Sequence, residues 1–470
     1  MFSKIIQSRS WYRDKKVTVV GLGAFGGGAG VARFLDSVGA RVTVTDLKTD
    51  SELESQRAEL AELDISWVLG EHRDEDLLEA DLVVLNPAVP RGKPLVERCR
   101  AAGVPLETEM NLFFKHCRGR ICAITGSNGK TTTTSLAGEM ARKRWPGLRV
   151  GGNIGLSLLP QVDEFGEDDW VILELSSFQL DDLASLARRP AISVITNLSE
   201  NHIDWHGSYD NYLEAKRQIL RAGPEPDLAV LNLFDPLLRK WAGESSRELR
   251  TISPPGEGTA GVIVDLEAGE VRSINDGREE LLFSRADLQL RGEFNLINAA
   301  TAAATVTAMG VEPPELLEGV RSFRGVDHRL QLIGTFDEVE YFNDSIATTQ
   351  ESTVAALTSL GPEVILICGG QSKGCGFELL AEAAAEKTRQ VILIGETAGE
   401  IDKEIKAAAG GATEVIHAAD ISTAVDTAAR SARPGDRVLL SPACPSYDQF
   451  RNFEERGNEF CRLIKERFGE

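Results

Sequence analysis

"TGSNGKTTTTS", Thr125 to Ser135, decides how this chain is read. The apolar run "RICAI" (120–124) leads into it, and a helix-forming stretch starts near Thr131. Strand, glycine turn, lysine and helix in that order make a phosphate cradle. Glycines let backbone N–H groups turn toward phosphate oxygens, and the helix N-terminus adds partial positive charge. Lys130 is spaced to reach the β and γ phosphates, and the Thr131 hydroxyl to ligate Mg²⁺. The commoner pattern, G-x-x-x-x-G-K-[ST], would put a first glycine at 124, where this chain has Ile124. The loop is therefore a short form. Its ATP-binding nominees are Gly126, Ser127, Asn128, Gly129, Lys130, Thr131 and Thr132.

The same alternation extends in both directions. Apolar runs at 17–23, 41–46 and 81–86 read as strands, as do those at 120–127, 169–177 and 191–197, and at 363–370, 390–396 and 436–443. Continuous Val/Ile/Leu runs bounded by glycine suit parallel strands covered on both faces. The fold class is α/β. With 470 residues the chain is long enough for about three domains. Breaks near 115–120 ("KHCRGR") and 322–328 ("SFRGVDHR") divide it into 1–117, 118–325 and 326–470. The Gly- and charge-rich segment 243–287 reads as irregular strands and turns of the middle domain.

A net charge of −21 argues against nucleic acid or an anionic membrane as the main partner, since phosphate neutralisation needs clustered Lys and Arg. Seven scattered cysteines without a C-x-x-C pair give no disulfide framework or zinc site, and Cys122 and Cys368 read as small core residues. The N-terminus has no signal-peptide stretch, and no run reaches the roughly 18 apolar residues of a membrane span. A cytoplasmic location is expected.

Single polar residues at strand ends are ambiguous alone. Glu174 stands where open α/β sheets gather ligands, yet such an acid is often only a helix-cap partner. His202 and Asp204 follow the next strand, and His206 reads as structural. Lys216, in "YLEAKRQIL", reads by itself as a solvated helix lysine. Near the N-terminus "GLGAFG" (21–26), with Asp46 further on, has the form of a dinucleotide fingerprint.

Taken together, "TGSNGKTTT", "ELSSFQL", "TNLSENHIDWHGSYDNYLEAK", "GEFNLINAATAAA", "FRGVDHRLQ", "NDSIATT" and "SPACPSYDQFRNFEERGNEF" resemble, in order, the Mur ligases. These ATP-dependent enzymes build the peptidoglycan stem peptide. The resemblance runs over nearly the whole chain. "GGNIG" (151–155), "LELSSFQL" and "SPACPSYDQF" are most similar to the branch that adds D-glutamate. It implies a Rossmann-like N-terminal domain for the UDP substrate, a central P-loop domain with a mostly parallel sheet, and a C-terminal Rossmann-like domain for the amino acid. The implied reaction joins D-glutamate to UDP-N-acetylmuramoyl-L-alanine through an acyl phosphate, with ATP and Mg²⁺, in a monomer.

The same resemblance implies site roles. Lys130, Glu174, His202 and Lys216 form the catalytic set, and Thr131, Glu174, His202 and a carbamylated Lys216 would hold metal. Asn295, His328, Arg329 and Asp344 complete the ATP nominees. Gly23, Ala24, Phe25, Asp46, Asn86 and Asn153 would bind the UDP substrate. Thr348, Lys373, Ser446, Tyr447 and Phe453 would bind the incoming amino acid.

Two departures bear on that last pocket. Many D-glutamate adders carry lysine where this chain has Ile346, and "GGQSKG" lacks an aspartate often found after its glycines. An L-glutamate-adding branch therefore stays open. Folylpolyglutamate synthetases share the loop but usually follow Gly-Lys with Gly-Ser, where this chain has Thr131 and Thr132. A nicotinamide-dependent oxidoreductase would rest on Gly21–Gly26 and leave the other motifs without a task.

Overall fold

The computed structural model describes residues 8–469 except 24–26, 88, 156, 185, 187, 222–227, 259, 276, 291, 373–375 and 410–412, and the side chains of 55, 204 and 409. Among the described residues the strands gather into three sheets.

The first sheet holds β1 (Lys16–Val20), β2 (Arg41–Asp46), β3 (Ile65–Leu69), β4 (Leu82–Leu85) and β5 (Leu106–Thr108) in the order β3-β2-β1-β4-β5, all parallel. Val17, Val19 and Val20 are buried, as are Leu82 to Leu85, because helices cover both faces of such a sheet.

The second sheet contains β6 (Arg120–Thr125), β7 (Arg149–Gly152), β8 (Trp170–Glu174), β9 (Ile192–Ile195) and β10 (Leu228–Asn232). It continues through β11 (Glu248–Ser253), β12 (Ala260–Asp265), β13 (Glu270–Asn275) and β14 (Arg278–Ser284). Its order is β14-β13-β12-β11-β10-β9-β6-β8-β7. β12, β13 and β14 pair antiparallel; the other pairings are parallel. Residues 243–287 are thus regular strands at the sheet edge rather than irregular structure. The helix Lys130–Ala141 lies under this sheet, and the helix Pro313–Ser322 approaches it so closely that a side chain at Gly319 would strike the Met140 backbone.

The third sheet has β15 (Gln331–Phe336), β16 (Val339–Asn343), β17 (Val364–Cys368), β18 (Thr388–Leu393), β19 (Glu414–His417) and β20 (Arg437–Leu440) in the order β15-β16-β20-β17-β18-β19. Only the β15–β16 edge pair is antiparallel. Cys122 and Cys368 are fully buried in β6 and β17.

The chain falls into two compact units, Met1–Phe323 and Arg324–Glu470. The unit boundary lies inside the 322–328 break. The 115–120 break separates two sheets that pack into one unit. Among the described residues no helix is long and apolar enough to cross a membrane.

Candidate active site

The phosphate loop leaves the C-terminal end of β6, which sits between β8 and β9. Ile124 pairs with Glu174 and Thr125 with Ile195, so Glu174 and Thr196–Asn197 arrive at the same sheet end as the loop. Two glycines are required there. Gly126 (φ 151°) faces Thr196 Oγ1, and Gly129 (φ 75°) faces Asn298 Oδ1, each too close for a β-carbon. The turn is tied down: Asn128 N donates to Asn197 Oδ1 (2.9 Å), Thr196 Oγ1 donates to Asn128 O (2.6 Å), and Ser127 Oγ meets the Tyr212 hydroxyl (2.7 Å). Lys130 opens the helix and folds back, its Nζ donating to Ser127 O at 2.8 Å. Thr131 and Thr132 are half-buried in the first turn, over which the helix dipole favours an anion.

Lys216 is not the solvated lysine its local sequence suggests. It is 2% exposed on the helix Tyr209–Arg217, and its Nζ donates to Thr125 Oγ1 and Gly126 O, both at 2.8 Å. Burial drives its pKa well below the ordinary lysine value; the Lys130 charge pushes the same way, and Glu174 opposes.

Glu174 is 1% exposed. Its Oε1 accepts from Asn153 Nδ2 at 3.0 Å, while Oε2 has no hydrogen-bond partner among the described residues. Asn153, nominated for the UDP substrate, therefore has its amide on Glu174. His202 is exposed, adopts φ 52°, and sets its ring 4.9 Å from that of Phe178. His206 bonds Ser177 Oγ at 2.9 Å and stacks on Phe178, a structural role. The Asp204 side chain lies outside the described residues.

No group of three or more His, Cys, Asp or Glu side chains forms a metal-ligand set among the described residues. Mg²⁺ does not need one: it is commonly held by one or two carboxylates, waters and substrate phosphates. The unpartnered Glu174 Oε2 suits such an ion. Lys216 as an amine does not.

In the first sheet the strand order reverses between β1 and β4, where open α/β sheets bind ligands. Gly23 (φ 73°) follows β1 and lies against the Asn86 amide beyond β4. Asp46 closes β2, its carboxylate accepting from Leu22 N and Lys48 N, both at 3.0 Å. Gly23, Asp46 and Asn86 are thereby brought together. Ala24 and Phe25 lie outside the described residues. Glu109, which the sequence reading passed over, stands against Gly27 in the same crevice, its pKa raised by burial.

In the C-terminal unit, Asp344 follows β16 with Oδ1 accepting from Leu330 N (3.0 Å) and Oδ2 from Ser441 Oγ (2.8 Å). Burial raises its pKa to about 7. His328, nominated for adenine, is buried, with Nδ1 2.9 Å from Asn343 Nδ2 and its ring 6.1 Å from Phe453, nominated for the amino acid. Arg329 is exposed, Thr348 half-buried, Ser446 buried and Tyr447 exposed. Lys373 lies outside the described residues. Asn295 belongs to the first unit, on the helix Glu293–Ala308, where its Oδ1 accepts from Asn298 Nδ2 at 3.3 Å. An open groove of about 760 Å³ between 420–422 and 449–462 contains none of the nominees.

Three family models match the chain in order: Mur ligase MurD-like, N-terminal domain, over 15–107; Mur ligase middle domain over 124–306; and Mur ligase, glutamate ligase domain, over 328–444. The UDP-N-acetylmuramoylalanine–D-glutamate ligases of Roseiflexus sp. (strain RS-1) and Symbiobacterium thermophilum are each 39% identical, across 96% of this chain and 98% of theirs. The chain belongs to the Mur ligase family.

Solved structures carry the same fold. The UDP-N-acetylmuramate-alanine ligase of Thermotoga maritima superposes with TM-score 0.60 at 19% identity, over 96% of this chain and 100% of that one. MurF of Acinetobacter baumannii superposes with TM-score 0.57 at 14% identity, over 98% and 93%. The Mur ligase described here also holds two residues near its nominees that the sequence reading missed. Asn298 abuts Gly129; the reading chose Asn295, one helical turn away. Arg456 is 1% exposed, with Nε on Ser345 Oγ (3.0 Å), Nη2 on Ser345 O (2.8 Å) and Nη1 on Cys444 O (3.1 Å). It ties the turn after β16 to the turn after β20, and burial lowers its pKa to about 10.

Proposed function

We propose that this Mur ligase joins D-glutamate to UDP-N-acetylmuramoyl-L-alanine, with ATP as phosphoryl donor, in peptidoglycan precursor synthesis. The L-alanyl carboxylate attacks the γ-phosphorus and ADP leaves. The glutamate amine then attacks the acyl-phosphate carbonyl carbon, phosphate departs, and the nitrogen loses a proton. Positioning and charge neutralisation are the protein's main contributions.

The observation that carries this reading is the meeting of Lys130, the unpartnered Glu174 Oε2 and a weakly basic Lys216 at one sheet end. Lys130 lets go of Ser127 O to take the β/γ phosphates. The loop N–H groups cradle the phosphate chain. Mg²⁺, held by Thr131, Glu174 and His202, would neutralise the phosphate oxygens. Lys216 is a candidate for carbamylation: a neutral Nζ adds to CO₂ and loses a proton, giving an anionic oxygen ligand where an ammonium could not serve.

The other roles belong to the same proposal. Gly23, Asp46 and Asn86 bind the UDP moiety; Asn153 acts there or on Glu174; Asn295, His328, Arg329 and Asp344 serve ATP. Thr348, Lys373, Ser446, Tyr447 and Phe453 hold glutamate. The same proposal takes in the domain limits 1–117, 118–325 and 326–470, a cytoplasmic location and a monomeric state. D-glutamate is favoured over L-glutamate by the relatives' activity.

Phosphate release by the purified protein with ATP, Mg²⁺ and UDP-N-acetylmuramoyl-L-alanine tests the reading. Turnover with D- but not L-glutamate is expected. Turnover with only the L enantiomer overturns the stereochemistry, and turnover with neither overturns the proposal.

A further inference from the structure

Arg91 ends the segment "NPAVPR" that follows β4, five residues beyond Asn86 in the UDP crevice. Its side chain does not stay in that crevice. Arg91 Nε donates to Asp182 Oδ1 at 2.8 Å, and Nη2 pairs with Asp182 Oδ2, a two-point guanidinium–carboxylate contact. Asp182 lies on the helix Ser177–Leu183, which follows β8 of the second sheet. That helix is fixed at its start by a Ser176–Gln179 capping box, two residues after Glu174. The pair therefore spans from the nucleotide-sugar loop of one sheet to the helix rooted in the catalytic strand of the other, within a single compact unit.

The contact is shielded. The Asp182 side chain is 3% exposed and that of Arg91 21%. Around it, Lys115 pairs with the fully buried Glu107, and Asn111 Nδ2 reaches toward Asp182 O at 3.5 Å. Burial pushes the Asp182 carboxyl up to about 6, against the pull of Arg91, so Arg91 is what keeps it ionised near neutrality. A buried pair of this kind adds little stability over an apolar pair, but breaking it by removing one partner is costly.

We propose that Arg91 is a positioning residue: its contact with Asp182 fixes the nucleotide-sugar loop relative to Glu174, so that a bound UDP-muramoyl substrate presents its carboxylate to the phosphate loop. ATP needs no such alignment, because its loop belongs to the second sheet alone. The inference rests on the proposed ligase reaction.

The test uses the full chain and four variants: Arg91→Ala, Arg91→Lys, Asp182→Asn, and the double variant Arg91→Ala/Asp182→Asn. KM for UDP-N-acetylmuramoyl-L-alanine and KM for ATP are measured separately by phosphate release. Arg91→Ala and Asp182→Asn should each raise the nucleotide-sugar KM about tenfold or more, with the ATP KM within about twofold of wild type. The double variant should be no worse than the poorer single, since both remove one contact. Arg91→Lys, which keeps the charge and loses the fork, should fall between, and it carries the test if Arg91→Ala does not fold. A nucleotide-sugar KM unchanged in the folded variants overturns the inference. So does an ATP KM that rises in step, or single effects that multiply in the double variant. Wild-type protein without turnover on this substrate overturns the ligase reading itself, and this inference with it.

Discussion

Lys130→Met separates a catalytic lysine from a structural one. In the structure the ammonium donates to Ser127 O at 2.8 Å, a hydrogen bond within its own turn, in a partly buried position. Losing one such bond costs about 1 kcal/mol of stability. For a unit of this size that lowers Tm by about 4 °C at most. The turn is also held by Asn197, Thr196 and Tyr212. Catalysis should fall much further. Removing one preorganised positive group from a developing phosphoryl charge costs about 3–4 kcal/mol, or 10²–10³ in kcat. A second consequence is specific to this site. Lys130 helps to hold down the Lys216 pKa, so without it Lys216 keeps its proton more readily and is a poorer CO₂ acceptor. Steady-state phosphate release and a thermal melt on the same preparation give both axes. A folded variant that keeps more than about a tenth of wild-type kcat refutes the loop assignment. So does a loss of activity explained by a melt shifted far beyond that small amount.

Lys216→Ala should abolish turnover and recover part of it when a short carboxylate is added to the buffer; full activity without rescue would make the lysine structural. Asp344→Asn addresses pH. With its pKa raised to about 7, the folded carboxyl holds a proton that the unfolded chain has released between about pH 4 and 7, so this group's contribution to stability falls as pH rises through that window. The asparagine variant should therefore gain more in Tm at pH 8 than at pH 5, and an equal gain at both would count against the buried ionisation. Arg456→Met strands the carbonyls of Ser345 and Cys444 and should destabilise the C-terminal unit by about 3 kcal/mol in denaturant titration, while an unchanged midpoint would deny it that bracing role.

Sequence legibility followed burial only in part. All nine apolar runs read as strands lie on strands, because strands such as β4, β8 and β17, buried on both faces, leave long unbroken Val/Ile/Leu signals. Some of the strands passed over, β3 and β14 among them, are partly exposed, whereas β5, β10 and β16 are mostly buried and were passed over all the same. β3 has a single buried residue, Val68, within "ISWVL", and β14 begins with four exposed residues. There the charge-rich solvent face cuts the apolar pattern short, so regular edge hairpins resemble irregular chain. Lys216 was misread locally for another reason. Its helix is amphipathic enough to host a solvated lysine, and only the packing of the phosphate loop over it removes the water. Arg456 did have a signal. It shares a helical stripe with Phe453, Gly457, Phe460 and Ile464, an apolar face on which an arginine is out of place unless something inside needs its donors.

The overall charge of −21 fits poorly with substrates that are themselves polyanions. At physiological ionic strength the field of surface carboxylates fades over about 8 Å, so the mean charge of the chain matters less than what stands within one screening length of each ligand. The positive groups are placed accordingly. Lys130 opens a helix whose dipole adds to its own charge, and Arg456 is withdrawn from water behind the turns that begin at Asp344 and Ser441. These cations stand at protected points, where low solvent access strengthens the pull of a charge on an anion. Lys216 is the instructive exception, since burial, with the Lys130 charge beside it, lowers its hold on the proton. A lysine buried at a phosphate loop gives up its proton more readily than a surface one, and it is that lowered basicity, rather than the presence of a lysine, that suits it to becoming an oxygen ligand.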